Sequence, residues 1–206
     1  GGVVHGYGLA ASQLMRLKDA GITLTISVDK VAASGGYMMA SVGDEIIAAP
    51  FAILGSIGVV AQLPNFHRLL KKNDIDFEMH TAGEYKRTLT VFGENTDKAR
   101  EKFQAEIDDI HVLFKDFVSS NRPVVEIDEV GTGEFWFGQR ALEKNLADRL
   151  CTSDSFLVEH LEGYDLIEVR YRAKRSWQEK LSLAAEMAVE RGFRRLLKSE
   201  RDQQFL

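Results

Sequence analysis

The feature that most constrains this chain is the run Ile26 to Ser41, ISVDKVAASGGYMMAS, in which an apolar strand passes through small residues into a helix. Ala32 and Ala33 crowd nothing, Gly35 and Gly36 let backbone approach a ligand closely, and Tyr37 to Ala40 read as first helical turns. Such a turn aims the Ser34 hydroxyl at a helix N-terminus. Free backbone N–H groups and the positive end of the helix dipole stabilise an oxyanion there, beside a serine nucleophile. The chemistry this predicts is that of a serine hydrolase. The run is not the G-x-S-x-G elbow, since Ala32 stands at the first glycine position, and Ser-Gly-Gly also serves as a plain turn with a capping serine.

Strand and helix alternate around this run, which argues an α/β fold. Tyr7 to Ala20 reads as an amphipathic helix closed by Gly21, and Ile22 to Val28 alternates with the period of a half-buried strand. Asp44 to Ala49 reads as a short buried strand ended by Pro50, Ile53 to Ala61 as an apolar segment broken by Gly55 and Gly58, and Pro64 to Lys72 as a helix. Asp76 to His80 is expected to be the next strand, and Thr81 to Glu94 a loop that holds Lys86. From a cap at Asn95 or Thr96 a long helix is expected to about Ser120, with Ala99, Phe103, Ile107, Ile110, Phe114 and Phe117 as its buried stripe. After a connector at Pro123 to Glu129, GTGEFWFGQRALEKNLADRL combines aromatics, a Gly-led helix and a short strand. Ser153 to Leu161 reads as a helix, Ile167 to Tyr171 as a last strand, and Trp177 to Lys198 as a helix ending in Arg191, Arg194, Arg195 and Lys198.

At 206 residues and 45% hydrophobic, the chain is long enough for one domain with a real core. A formal charge of -5 gives no overall attraction to nucleic acid. Cys151 is the only cysteine, which excludes an intrachain disulfide and a CxxC metal or redox motif. No run of about 18 apolar residues is present, so no helix here is expected to span a bilayer.

A serine nucleophile needs a base. The histidines are His5, His67, His80, His111 and His160, none placed by a local signal; His80, at the end of the expected strand, is the one kept as a triad member. A lysine can substitute when it is neutral, which takes burial or a neighbouring cation. Lys86 fits this reading, with Tyr85, Leu89, Val91 and Phe92 to supply an apolar pocket, although most lysines are simply solvated.

The three runs VAASGGYMMAS, ILGSIGVV and AGEYKRTLTVF, in that order and spacing, resemble the signal peptide peptidase A family of serine proteases. The resemblance covers much of residues 1–92. It implies a ClpP/crotonase-like fold of repeated β-β-α units and a Ser–Lys dyad with Ser34 as nucleophile, Lys86 as general base and Ser56 as the serine that orients the lysine. It implies an oxyanion hole from the amide of Gly35 and amides of the Gly1-Gly2 pair, with no metal or organic cofactor. A strand–helix–strand unit that the family carries before the Gly-Gly pair is missing, so the chain is expected to be truncated at its N-terminus, without the membrane anchor of the parent protein.

The expected organisation is a peptidase catalytic domain at residues 1–163 and a C-terminal strand with a basic amphipathic helix at residues 164–206, packed on that domain or on a neighbouring subunit. The expected function is a serine endopeptidase acting on peptides or unfolded segments through an acyl-enzyme. As the resemblance implies, it works as a homo-oligomer in the periplasm at a bacterial inner membrane. Two rivals stay open: an inactive scaffold at the membrane surface, and an acyl-CoA enzyme on the same crotonase-like scaffold.

Overall fold

The computed structural model describes residues 2–171. Its elements are α1 (Val4–Asp19), β1 (Thr25–Val28), β2 (Val31–Ala33), α2 (Gly35–Ala40), β3 (Glu45–Ala48), β4 (Ile53–Gly55), α3 (His67–Lys72), α4 (Asp97–Asn121), α5 (Ile127–Val130), β5 (Phe135–Phe137), α6 (Gly138–Glu143), β6 (Arg149–Leu150) and α7 (Ser153–Glu159). All lie in one compact unit, Gly1–Tyr164. Residues 165–171 belong to a second unit and carry neither helix nor strand, so the last strand expected at Ile167 to Tyr171 does not form there. The expected helix from Trp177 to Lys198 lies outside the described residues.

The fold is mixed α/β with parallel pairing. One three-stranded sheet runs β1-β3-β6, parallel throughout, with Ile26 opposite Ile46 and Ala48 opposite Leu150. The other runs β2-β4-β5, with β2 and β4 parallel and β5 antiparallel. The chain alternates between the two: β1 enters the first sheet, β2 the second, and the turn after β2 starts α2. The central strand β3 reads Glu-Ile-Ile-Ala and its last three residues are fully buried, as expected of a strand covered on both faces. Tyr37, Met38 and Ala40 of α2, Leu54 of β4, Ile57 and the α4 pair Phe114 and Val118 complete the core, each large apolar side chain adding about 2 kcal/mol.

α4 is the long helix read from the sequence. Thr96 caps it by accepting the N–H of Ala99 at 3.2 Å, and Asp97 complements the dipole in its first turn. Of the expected stripe, only Phe114 is fully buried, joined by Val118; the N-terminal half is half-buried at best. That half carries the segment from Leu63 to Thr96, which folds mainly on itself. The Asn65 amide donates to the carbonyls of Thr90 and Gly93, and the ring of Phe92 lies 6.2 Å from Phe66 and 5.7 Å from Phe77. Asp76 to His80 is extended and exposed there without a strand partner, which corrects the expected strand. The helix expected from Pro64 begins only at His67.

A partly buried polar network ties the layers together beneath α2. Arg122, just past α4 and 5% exposed, pairs with Asp148 through both terminal nitrogens, at 2.9 and 3.1 Å, and donates from Nε to the carbonyl of Asn145 at 2.7 Å. Asp148 also accepts the N–H of Ile46 in β3 at 2.7 Å. The Tyr37 hydroxyl donates to the carbonyl of Leu146 at 3.2 Å, and burial holds this phenol well above its ordinary ionisation range. At the other end of the first sheet, Asp29 accepts the backbone N–H and hydroxyl of Ser153 at the start of α7; these bonds hold its carboxyl below the usual range.

Candidate active site

Ser34 is the N-cap of α2 and sits at φ +55, ψ −123, a conformation that costs a non-glycine residue about 1–3 kcal/mol. It is held from both sides. Its N–H donates to the carbonyl of Gly55 at 2.8 Å, and its own carbonyl accepts from Tyr37 and Met38 in the first turn of α2. The strand–turn–helix read from the sequence is therefore present, and the Ser34 side chain makes no capping hydrogen bond.

Ser56 follows β4 and is strained in the same way, at φ +50. Its N–H donates to the carbonyl of Glu134 at 2.6 Å, and the N–H of Gly58 donates back to its carbonyl at 3.0 Å, closing a three-residue turn. Ile57, at the centre of that turn, is fully buried. Ser34 and Ser56 are thus presented by neighbouring parallel strands, in which Ala33 lies opposite Gly55.

Both serines line one cavity of about 760 Å³, together with Gly2, Val3, Val4, Gly58, Val59, Val60 and Gly133. Gly58 has to be glycine: a Cβ there would stand 2.9 Å from the Cα of Gly133, with only backbone in the way. Gly58→Ala is expected to lower stability by about 1–3 kcal/mol, the range for overpacking, in a thermal melt. Gly2→Ala is expected to cost far less, since the nearest atom is an outer carbon of the Tyr7 ring.

The remaining predicted residues divide. Gly2 lines the cavity, whereas Gly1 lies outside the described residues. Gly35 is buried directly after Ser34 and opens α2, so its N–H has no carbonyl one turn back to pair with. Lys86 is not brought to the serines. It is exposed in the loop that precedes α4, its N–H donating to the carbonyl of Gly83, and it does not line the cavity. That loop is tied to the outer half of α4, by Glu84 on Lys98 at 2.7 Å and by Lys102 over the Tyr85 ring. His80 is 91% exposed beside Glu78 and is equally remote from the cavity lining.

Two residues near the site escaped the sequence reading. The ring of Tyr7, in α1, packs against the Cα positions of both Gly2 and Gly35. His111, on α4, places Nε2 3.1 Å from the carbonyl oxygen of Ile57. The signal for His111 was in the helix period: Ile107, His111, Phe114 and Val118 recur at four, three and four residues and share one face.

A strained serine beside a helix N-terminus, a second strained serine on the next parallel strand and a shared cavity between them make a site suited to acyl transfer. The model of Peptidase family S49 matches residues 16–165, and the chain belongs to that family. It is 58% identical over 186 residues to a probable protease SohB of Haemophilus influenzae, across 90% of this chain and 53% of that protein. A probable protease SohB of Buchnera aphidicola subsp. Schlechtendalia chinensis is 66% identical over 158 residues, 77% of this chain and 52% of that protein. The chain thus spans about half the length of these curated relatives. Among solved structures, a variant of the 1510-N membrane-bound stomatin-specific protease with a substrate peptide is similar at a TM-score of 0.40 and 15% identity, over 82% of this chain and 72% of that one.

Proposed function

We propose that the chain carries the catalytic region of a serine endopeptidase with a Ser–Lys dyad on a ClpP/crotonase-like fold. The observation that carries this reading is the pair of positive-φ serines, Ser34 and Ser56, lining a single cavity. Family membership supports it, and so does the way successive short strands alternate between two sheets before turning into a helix.

In the proposed reaction the neutral amine of Lys86, its lone pair directed by the Ser56 hydroxyl, takes the proton from Ser34 as Oγ attacks the peptide carbonyl. The oxyanion is received by the N–H of Gly35 and by amides of the Gly1-Gly2 segment. The lysine then protonates the leaving amine, and later deprotonates the water that releases the acyl group from Ser34. Lys86 has to travel to do this. It arrives on its own arm or from a neighbouring copy, and the exposed Leu63, Leu69, Ile75, Phe77 and Met79 of that arm are what a second copy would cover in a homo-oligomer.

The substrates in this reading are peptides, signal-peptide remnants or unfolded segments, entering between Val3, Val4, Val59 and Val60. The site of action is the periplasmic face of a bacterial inner membrane, with the anchor outside this chain, a placement supported by the family resemblance. None of the helices of the described residues is long and apolar enough to cross a membrane.

The test is covalent capture. A fluorophosphonate is expected to label the full-length protein at Ser34, shown by peptide mass mapping, and Ser34→Ala to abolish the label. An unlabelled wild type that instead turns over acyl-CoA thioesters would overturn the peptidase reading in favour of an acyl-CoA enzyme. One silent toward both would favour a scaffold.

A further inference from the structure

We infer that His111 is a positioning residue of this site, acting through the turn that carries Ser56; the inference rests on the assignment of Ser56 as the serine that orients the base. The geometry is direct. A carbonyl oxygen can only accept, so His111 donates Nε2–H to Ile57, at 3.1 Å. This bond spans from the middle of α4 to the residue next to Ser56.

The turn needs such an anchor. Ser56 holds a left-handed backbone that a serine does not adopt unaided, so surrounding bonds must over-determine it. Its N–H is fixed by Glu134, its carbonyl by Gly58, and the side chain between them by burial of Ile57. The carbonyl of Ile57, the residue between them, is held in turn by His111. His111 is therefore a strut between α4 and this turn.

The bond also explains why a half-buried histidine stands on the inward face of α4 between Ile107 and Phe114. α4 meets the core through Phe114 and Val118, which come one and two turns after His111. The strut thus draws its rigidity from the best-packed part of that helix. Through it, the turn at Ser56 is tied to the core by way of α4, in addition to its bond to Glu134.

The experiment compares His111→Leu and His111→Gln with wild type in the full-length protein. The leucine fills the space without a donor; the glutamine amide restores one near the Nε2 position. With a peptide substrate, His111→Leu is expected to lower kcat roughly ten- to hundredfold, the cost of displacing a catalytic group by a fraction of an ångström to an ångström, with KM within about twofold. His111→Gln is expected to recover most of that loss. Independently of activity, hydrogen exchange at the amides of Ser56 and Gly58 is expected to speed up about tenfold in His111→Leu, and not in His111→Gln, while the β1–β3 amides keep their protection. A leucine variant with wild-type kcat overturns the inference, whatever its melting temperature, and so does a loss that glutamine fails to restore. If the wild type cleaves no peptide and takes up no fluorophosphonate, the peptidase reading falls. The exchange arm then decides the strut alone: unchanged protection of Ser56 and Gly58 overturns it.

Discussion

Ser34→Ala and Lys86→Ala, each made in the full-length protein, are expected to reduce peptide turnover by about 10⁴- to 10⁶-fold, and the double variant to be no worse than either. The non-additivity is the informative part. A nucleophile and its base act as one unit, so removing the second after the first removes nothing further, whereas two independently useful residues would multiply their losses. Mixing the two inactive proteins separates the routes by which Lys86 reaches Ser34. Recovery of activity means a neighbouring copy supplies the base, and no recovery means the arm of the same chain does. If Lys86→Ala retains wild-type turnover, the dyad assignment fails, and the exposed position of Lys86 is then simply that of a solvated lysine.

Asp148→Ala is expected to be the most damaging single change to stability outside the hydrophobic core, at about 3 kcal/mol, for the reason that governs broken buried ion pairs. The two partners are unequal. Arg122 is 5% exposed and Asp148 38%, so loss of the aspartate leaves a buried guanidinium whose terminal nitrogens have lost their carboxylate, with only the Asn145 carbonyl still accepting from Nε. The same change unties the N–H of Ile46 in the central strand. Arg122→Met is expected to cost less, since it removes the charge and refills the space with an apolar chain, leaving Asp148 within reach of solvent. Thermal or urea unfolding checks both, with a drop on the order of 10 °C anticipated for Asp148→Ala. A loss under about 1 kcal/mol would mean that the pair breaks even against its desolvation.

The parts legible in the sequence are those whose geometry is set by neighbours along the chain. The run from Ile26 to Ser41 encodes its strand, turn and helix within one short stretch, and Thr96 and Asp97 mark the start of α4 locally. What escaped depends on partners distant in sequence. Asp76 to His80 alternates as a strand should, yet alternation says only which side chains share a face, and among the described residues no strand pairs with this segment. Ile22 to Val28 shows the same limit in milder form, pairing with β3 only from Thr25. For Lys86, residue type and order pointed to chemistry, while its position depends on how the segment from Leu63 to Thr96 is tied to α4, through partners distant in sequence such as Glu84 and Lys98. His111 has a different cause: no local signal along the chain marks it, and only the helical face it shares with Phe114 and Val118 does.

The backbone-to-backbone meeting of Gly58 and Gly133 also bears on how such a site can diverge. With no room for a side chain at Gly58, and a left-handed φ of +86 at Gly133, the floor of the cavity is closed to variation. The two serines are committed to strained roles. Under the proposed peptidase reading, the side chains left for choosing among substrates are the four valines, Val3, Val4, Val59 and Val60, of which each pair comes from a different segment of the chain. A lineage changing its taste in peptides would record the change at those four positions, while the floor beneath them stayed silent.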